Sequence, residues 1–309
     1  MENKGIEIVT LTKVEGANLN SNGTEGVISV LKKVRDPVDM KEYIRISGQS
    51  VKYQLRQLLK ELDETISTVV SREESGEKVI VSAGEPDKYI DDDLFGYMIA
   101  KKVNNKNVTK LRTAPVRTNG FISIFPYLED RDFGVRYDPT SDKHNIYETE
   151  IATNILRGNF FIEVDRVGVF TEREVIKEKI GILPNEIREK RLKRFIESLF
   201  IYYGGAHLSR FFTKAYPEAM IVVFLNRKIP VIGDNFRIKQ EYINGKYLMD
   251  TNLLKEVLET FDSYINKAYI GVFKEKFENL KDIEAIGNNK VIVVSLKELK
   301  EKLMSEPLL

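Results

Sequence analysis

The run GIEIVTLTKV near the N-terminus constrains the fold most. In an extended chain it places Ile6, Ile8 and Val14 on one face and Val9 and Leu11 on the other. Successive side chains of a strand point to opposite faces, so a run that is apolar on both needs cover on both sides. It is expected at the centre of a sheet with a layer packed above and below. AMIVVFL, from Ala219 to Leu225, is a second buried strand.

Helical periodicity falls between these strands. Val51, Leu55, Leu58, Leu59 and Leu62 recur at intervals of three and four, with Ser47 as the N-cap. The opposite side of that helix carries Gln49, Lys52, Arg56 and Lys60, so one face packs on a sheet while the other meets solvent or phosphate. FISIFPY (Phe121 to Tyr127) and GNFFIEVDRVGV (Gly158 to Val169) read as strands. A second amphipathic helix follows Pro184 and Asn185, turns Leu192, Phe195, Ile196, Leu199 and Tyr203 inward, and ends at Gly204-Gly205. The order strand, helix, strand, strand, helix, strand is that of the split βαβ sheet, an α+β fold of the ferredoxin-like or RRM type.

Two stretches interrupt this order. Ser71 to Thr118 reads as an insertion, and the polar connection from Glu129 to Ile155 is too long for an ordinary loop, which points to a hairpin or a functional loop. A C-terminal extension is expected to hold a helix from about Asn252 to Ala268, the strand VIVV (Val291 to Val294) and a last helix opened by a Ser295/Glu298 capping box.

Composition removes much chemistry. The 309 residues include no Cys, no Trp and two His, which excludes disulfides, thiolate metal sites and Cys nucleophiles, and leaves only His144 and His207 for any His-dependent catalysis. No phosphate-binding, nucleophile-elbow or zinc-helix motif is present. No metal site and no cofactor are expected. Asp91-Asp92-Asp93 reads as a solvated turn or a partner-facing patch, and Asp36 and Asp132 are isolated acids with no base beside them. The N-terminus lacks an apolar signal core and the longest apolar stretch is seven residues, so a cytoplasmic protein with no membrane segment is expected.

Net charge is +1, from 48 Lys and Arg against 47 Asp and Glu, but the charges are sorted. Leu31 to Lys60 carries eight basic and three acidic residues, Glu61 to Asp93 three basic and eleven acidic, and Ala100 to Gly120 six basic and none acidic. An anionic partner feels the local field rather than the sum. Ser47, Gln49, Lys52 and Arg56 at a helix start have the donors that an RNA backbone needs. The RRM aromatic signature is absent, so base stacking on the sheet is not expected.

Asn18-Leu19-Asn20, EYIRISGQSVKYQLR (Glu42 to Arg56), DDDLFGYM (Asp91 to Met98), RTAPVRTNGFISIFPY (Arg112 to Tyr127), DRDF (Asp130 to Phe133) and FFIEVDRVGVF (Phe160 to Phe170) occur in this order. Together they resemble the DevR-type backbone subunit of CRISPR type I Cascade complexes, most like type I-B. The resemblance implies a modified RRM or ferredoxin-like palm (1–70, 119–128 and 156–235), a helical fingers insertion (71–118), a thumb β-hairpin (129–155) and a C-terminal extension packed on the palm (236–309). It also implies a non-catalytic antiviral subunit that polymerises along a CRISPR guide RNA and leaves the guide free to pair with target DNA. Partners would be the guide, target DNA through the guide, other copies of the chain and other Cascade subunits.

On that resemblance Ser47, Gln49, Lys52 and Arg56 contact guide phosphates and sugars. Arg35, Arg45, Arg112 and Arg117 are further contacts, Asn18 and Asn20 shape the loop beneath the RNA, and His144 and Ile146 lie in the thumb. Two other readings stay open: a type III-like subunit that cuts target RNA with Asp36, and a stand-alone regulatory RNA-binding protein.

Overall fold

The computed structural model describes residues 2–67, 70–74, 77–103, 106–140, 143–175 and 181–309. In chain order the first elements are β1 (Gly5–Ala17), β2 (Ser21–Glu25), β3 (Ile28–Leu31), β4 (Lys33–Arg35), β5 (Glu42–Ser47), α1 (Gly48–Glu61), β6 (Val70–Glu74) and β7 (Glu77–Val81). Next come α2 (Ile90–Phe95), β8 (Tyr97–Val103), β9 (Lys106–Arg112), β10 (Val116–Ser123), β11 (Asp130–Asp138), β12 (Lys143–Glu163), α3 (Asn185–Phe200) and α4 (Leu208–Phe211). The chain closes with β13 (Ala219–Leu225), β14 (Ile238–Ile243), β15 (Lys246–Met249), α5 (Thr251–Thr260), β16 (Ile265–Val272), α6 (Leu280–Glu284), β17 (Val291–Ser295) and α7 (Leu296–Ser305). Among these residues no helix is long and apolar enough to cross a membrane.

A large mixed sheet organises the molecule, in the order β17-β16-β13-β1-β12-β10-β5-β4. The doubly apolar β1 lies inside it, antiparallel to β12 on one side and β13 on the other. Its alternation sorts two cores. Ile6, Ile8 and Val14 join Val51, Leu55 and Leu58 of α1, Leu192, Phe195 and Ile196 of α3, and Leu299 and Leu303 of α7. Val9 and Leu11 face the other way, against Ile232, Phe236, Leu254, Leu258 and Ile283 of the C-terminal segment. The α+β class expected from the sequence is found. β1, α1, β10, β12, α3 and β13 follow one another as strand, helix, strand, strand, helix, strand, with spatial strand order β13-β1-β12-β10.

β12 is 21 residues long. Its C-terminal half pairs with β1 and β10, and its N-terminal half pairs with β11, so the β11–β12 hairpin continues a central strand of the sheet. Motion of the hairpin therefore transmits directly to the centre of the sheet.

The insertion departs from the helical subdomain expected. It carries the hairpins β6–β7 and β8–β9 and one six-residue helix, α2. Strict alternation in segments such as KVIV and VTKL favours strands, and only six residues lie between Tyr89 and Gly96. The C-terminal helix expected to Ala268 stops at Thr260, because Ile265 to Val272, rich in β-branched and aromatic residues, adds a strand beside β13.

α1 begins as its sequence indicates. Ser47 takes an extended backbone and its Oγ accepts from the Ser50 amide at 3.3 Å. Gly48 and Gly120 allow this start to sit flush on a bulge in β10: a Cβ on Gly48 would meet the Thr118 carbonyl oxygen at 2.6 Å, and Gly120 has φ +89°. Ser47→Ala is expected to cost about 1 kcal/mol, the usual price of an N-cap, read as a lower urea midpoint.

Candidate nucleic-acid interface

The C-terminal segment covers the second face of the sheet only in part. It packs on β13, β16 and β1, while towards β10 and β5 the face carries polar and charged side chains. Arg45 on β5 and Arg157 on β12 both stand opposite Ile122 of β10, so the two arginines share that face. One row along, Ser47 and Asn159 both stand opposite Gly120. In the next row Arg117 stands opposite Phe161, with its guanidinium 5.1 Å from the ring centroid and 2.8 Å from Glu163. These rows form a trough that ends at the cap of α1.

Its wall is the segment from Val231 to Asn235. The Glu7 carboxylate, buried in the sheet, accepts from the amides of Val231, Ile232 and Gly233 at 2.6, 3.0 and 2.9 Å. Burial pushes the Glu7 carboxyl above its usual range, against those three hydrogen bonds. The Asp234 carbonyl accepts from Arg157 Nη1 at 3.2 Å.

The trough holds unmet hydrogen-bonding capacity. Arg45 Nε, Arg157 Nε and Asn159 Oδ1 are buried and have no hydrogen-bond partner among the described residues. Buried polar atoms are nearly always paired, so three on adjacent rows of one face mark a place where a polar ligand completes the structure. Burial works against the charge on Arg157, which raises the gain from an anion placed beside it. Backbone phosphate meets these requirements: it accepts from guanidinium groups and neutralises them.

The structure separates the residues expected to contact RNA. Ser47 caps α1, and its amide donates to Asn20 Oδ1 at 2.9 Å, which fixes the Asn20 loop against the start of the helix. Gln49 is exposed. Lys52 is half-buried, and burial, followed by the neighbouring Arg56, holds its amine below the usual lysine range. Arg56 turns towards the insertion, with Nε 3.1 Å from Asp91 Oδ2 and the guanidinium over the Phe95 ring. Arg35 is exposed and pairs with Glu42 at 3.3 Å. Asn18 is buried and its Nδ2 donates to the Glu150 carbonyl at 2.8 Å, tying β1 to the hairpin stem.

Arg112 is a correction. It is 1% exposed, and its five N–H groups meet the Asp93 carbonyl, Asp93 Oδ1, the carbonyls of Val169 and Arg166, and Glu174 Oε1. No donor is left for RNA. Its partner overturns a second expectation: Asp91, Asp92 and Asp93 are all buried, so the triplet is neither a solvated turn nor a patch facing a partner. Among the described residues no group of three or more His, Asp or Glu is placed to hold a metal ion.

On the hairpin Phe133, Val135 and Tyr137 alternate along β11 opposite Glu148, Ile146 and His144 of β12. Phe133, Val135, Tyr137 and Ile146 are exposed, an apolar stripe on one face. The His144 side chain lies outside the described residues. His207 is exposed, with φ +52°, and its carbonyl accepts from the amides of Arg210 and Phe211, so it ends a turn rather than filling a core. Asp132 pairs with Arg210.

Arg157, Asn159 and Asn119 were not expected from the sequence. Their signal was phase: Arg157 and Asn159 interrupt the apolar positions of one face of β12 between Ile155 and Phe161.

The fold places the chain in a class. It superposes on a chain of a CRISPR RNA-guided surveillance complex with TM-score 0.64 and 13% identity, covering 97% of this chain and 98% of that one. A chain of a CRISPR RNA-guided surveillance complex described as pre-nicking gives 0.62 and 12%, covering 97% and 99%. No curated protein sequence matches significantly. The profile of the family described as CRISPR-associated negative auto-regulator DevR/Csa2 matches residues 8–247, and the chain belongs to that family.

Proposed function

We propose that the chain is a non-catalytic backbone subunit of a cytoplasmic type I-B Cascade complex, holding guide RNA by its backbone in the trough between Arg117 and the start of α1. The observation that carries this reading is the set of unpartnered buried polar atoms of Arg45, Arg157 and Asn159 on one face of the sheet. Family membership supplies the context. The strand-helix order and the sheet order β13-β1-β12-β10 support a modified RRM or ferredoxin-like palm, with the two-hairpin insertion as fingers and the β11–β12 hairpin as thumb. The apolar stripe with Val135 and Ile146 suits a thumb that wedges between nucleotides or docks on the next copy. Contacts that repeat head to tail without closing give a filament, and a guide held by its phosphates keeps its bases free for target DNA. Protein purified from cells with a CRISPR array is expected to carry RNA of defined length and to run as a multimer. An RNA-free monomer under those conditions would sink the proposal.

Nothing in the geometry favours target cutting by Asp36. Its Oδ1 accepts from the Val38 amide at 2.8 Å and its backbone closes the turn between β4 and β5 through Met40 and Lys41. Incubation of the assembled complex with complementary RNA and Mg²⁺ is expected to leave the RNA intact. Cleavage that Asp36→Ala abolishes would establish the cutting role.

A further inference from the structure

A cavity of about 350 Å³ opens on the second face at the Arg117 end of the trough. Glu7, Arg117, Asn119, Asn159, Phe161 and Pro230 line it. That volume is at the lower end of the range for small-molecule sites, about 300–1,000 Å³, room for one nucleoside-sized group. Phe161 and Pro230 give it apolar surface, while Asn119 and Asn159 bring amides to it. The Asn159 Oδ1 has no hydrogen-bond partner among the described residues and needs an N–H donor.

The charges decide which part of a nucleotide fits. Glu7 lies in the floor, and its carboxylate is held by three backbone amides, so a phosphate pushed inside would meet an anion with no free donor beside it. A neutral base meets no such cost. Every nucleobase carries an N–H on its pairing edge for Asn159 Oδ1 to accept. Arg117, exposed at the mouth, is placed for the phosphate left outside.

We infer that this cavity takes one unstacked base of the RNA in the trough, with Asn159 and Asn119 hydrogen-bonded to its edge and its phosphate outside beside Arg117. The inference rests on the guide-binding reading above and adds a base site to a surface otherwise suited to backbone. A base so held is withdrawn from pairing.

Dimethyl sulfate methylates adenine N1 and cytosine N3 where the pairing edge is free. RNA-loaded protein carrying a guide of adenosines and cytidines is expected to show one nucleotide per subunit protected about tenfold relative to its neighbours, the factor that one hydrogen bond supplies. Asn159→Leu removes the amide at similar volume, and Asn119→Trp fills the mouth. Per mole of retained RNA, either substitution is expected to make that nucleotide as reactive as its neighbours, with thermal unfolding confirming the fold. Uniform reactivity in the wild-type RNA-loaded protein would overturn the base site alone. So would protection unchanged in both variants, or a change of oligomer size in Asn119→Trp with protection intact. Wild-type protein that carries no RNA would overturn the base site together with the reading beneath it.

Discussion

Asp93→Ala is expected to cost about 3–5 kcal/mol of folding stability, a large part of the roughly 5–15 kcal/mol that holds a typical domain together. Asp93 is fully buried and accepts from Arg112 Nη2 at 2.5 Å, Arg191 Nη1 at 2.6 Å and the Gly168 amide at 2.9 Å. Alanine would leave two buried guanidinium groups without their counter-charge, and removal of one side of a buried ion pair is far costlier than the pair's net contribution. The three donors come from β9, from α3 and from the segment that follows β12, so the carboxylate joins the insertion to the helix and sheet beneath it. Asp91→Ala makes the comparison. Its partner Arg56 keeps a partly exposed side chain that water can solvate, and the expected loss is about 1 kcal/mol. Urea unfolding measured on both variants decides the matter. An Asp93→Ala midpoint equal to that of wild type would mean that the buried network contributes nothing to stability.

The acid triplet shows where sequence reading stopped. Asp93 lies 19 residues from Arg112, 75 from Gly168 and 98 from Arg191. No local pattern announces partners so distant, and a run of three acids with basic runs nearby reads as solvent-facing charge. Arg112 was misplaced for the same reason: within the basic run it is indistinguishable from Arg117, which is exposed. By contrast β1, α1, α3, β13 and the Ser295 cap were legible because period and capping chemistry are local. The helix expected after Asn252 overran because Ile265 and Ala268 continue its spacing by coincidence, while pairing with β13 claims them for a strand. Arg157 and Asn159 were missed because two polar residues in an apolar strand signal a site only once the neighbouring strands supply Arg45, Asn119 and Arg117.

Replacing both Arg45 and Arg157 by Met is expected to separate RNA binding from folding. Methionine keeps an aliphatic stem of similar length, so packing along the sheet persists while the guanidinium groups go. Each arginine has a buried Nε that no group in the protein satisfies, so the folded state should gain stability or stay level, less what Arg157 loses with its bond to the Asp234 carbonyl. RNA should respond in the opposite direction. Two phosphate contacts removed from a single strand release about 1.4 fewer counterions, so the slope of log affinity against log salt should flatten by about 1.4. Loss of two charged hydrogen bonds at about 1.5–3 kcal/mol each should weaken binding by at least a hundredfold at low salt. Filter binding across a salt series, with thermal unfolding on the same preparations, checks both halves. If the double variant unfolds at lower temperature and its remaining folded fraction binds RNA like wild type, the arginines stabilise the sheet and the trough is not the RNA path. If the melting temperature holds while affinity and salt slope fall together, the unpartnered nitrogens belong to the ligand, and the half-covered face of the sheet is the surface along which the guide runs.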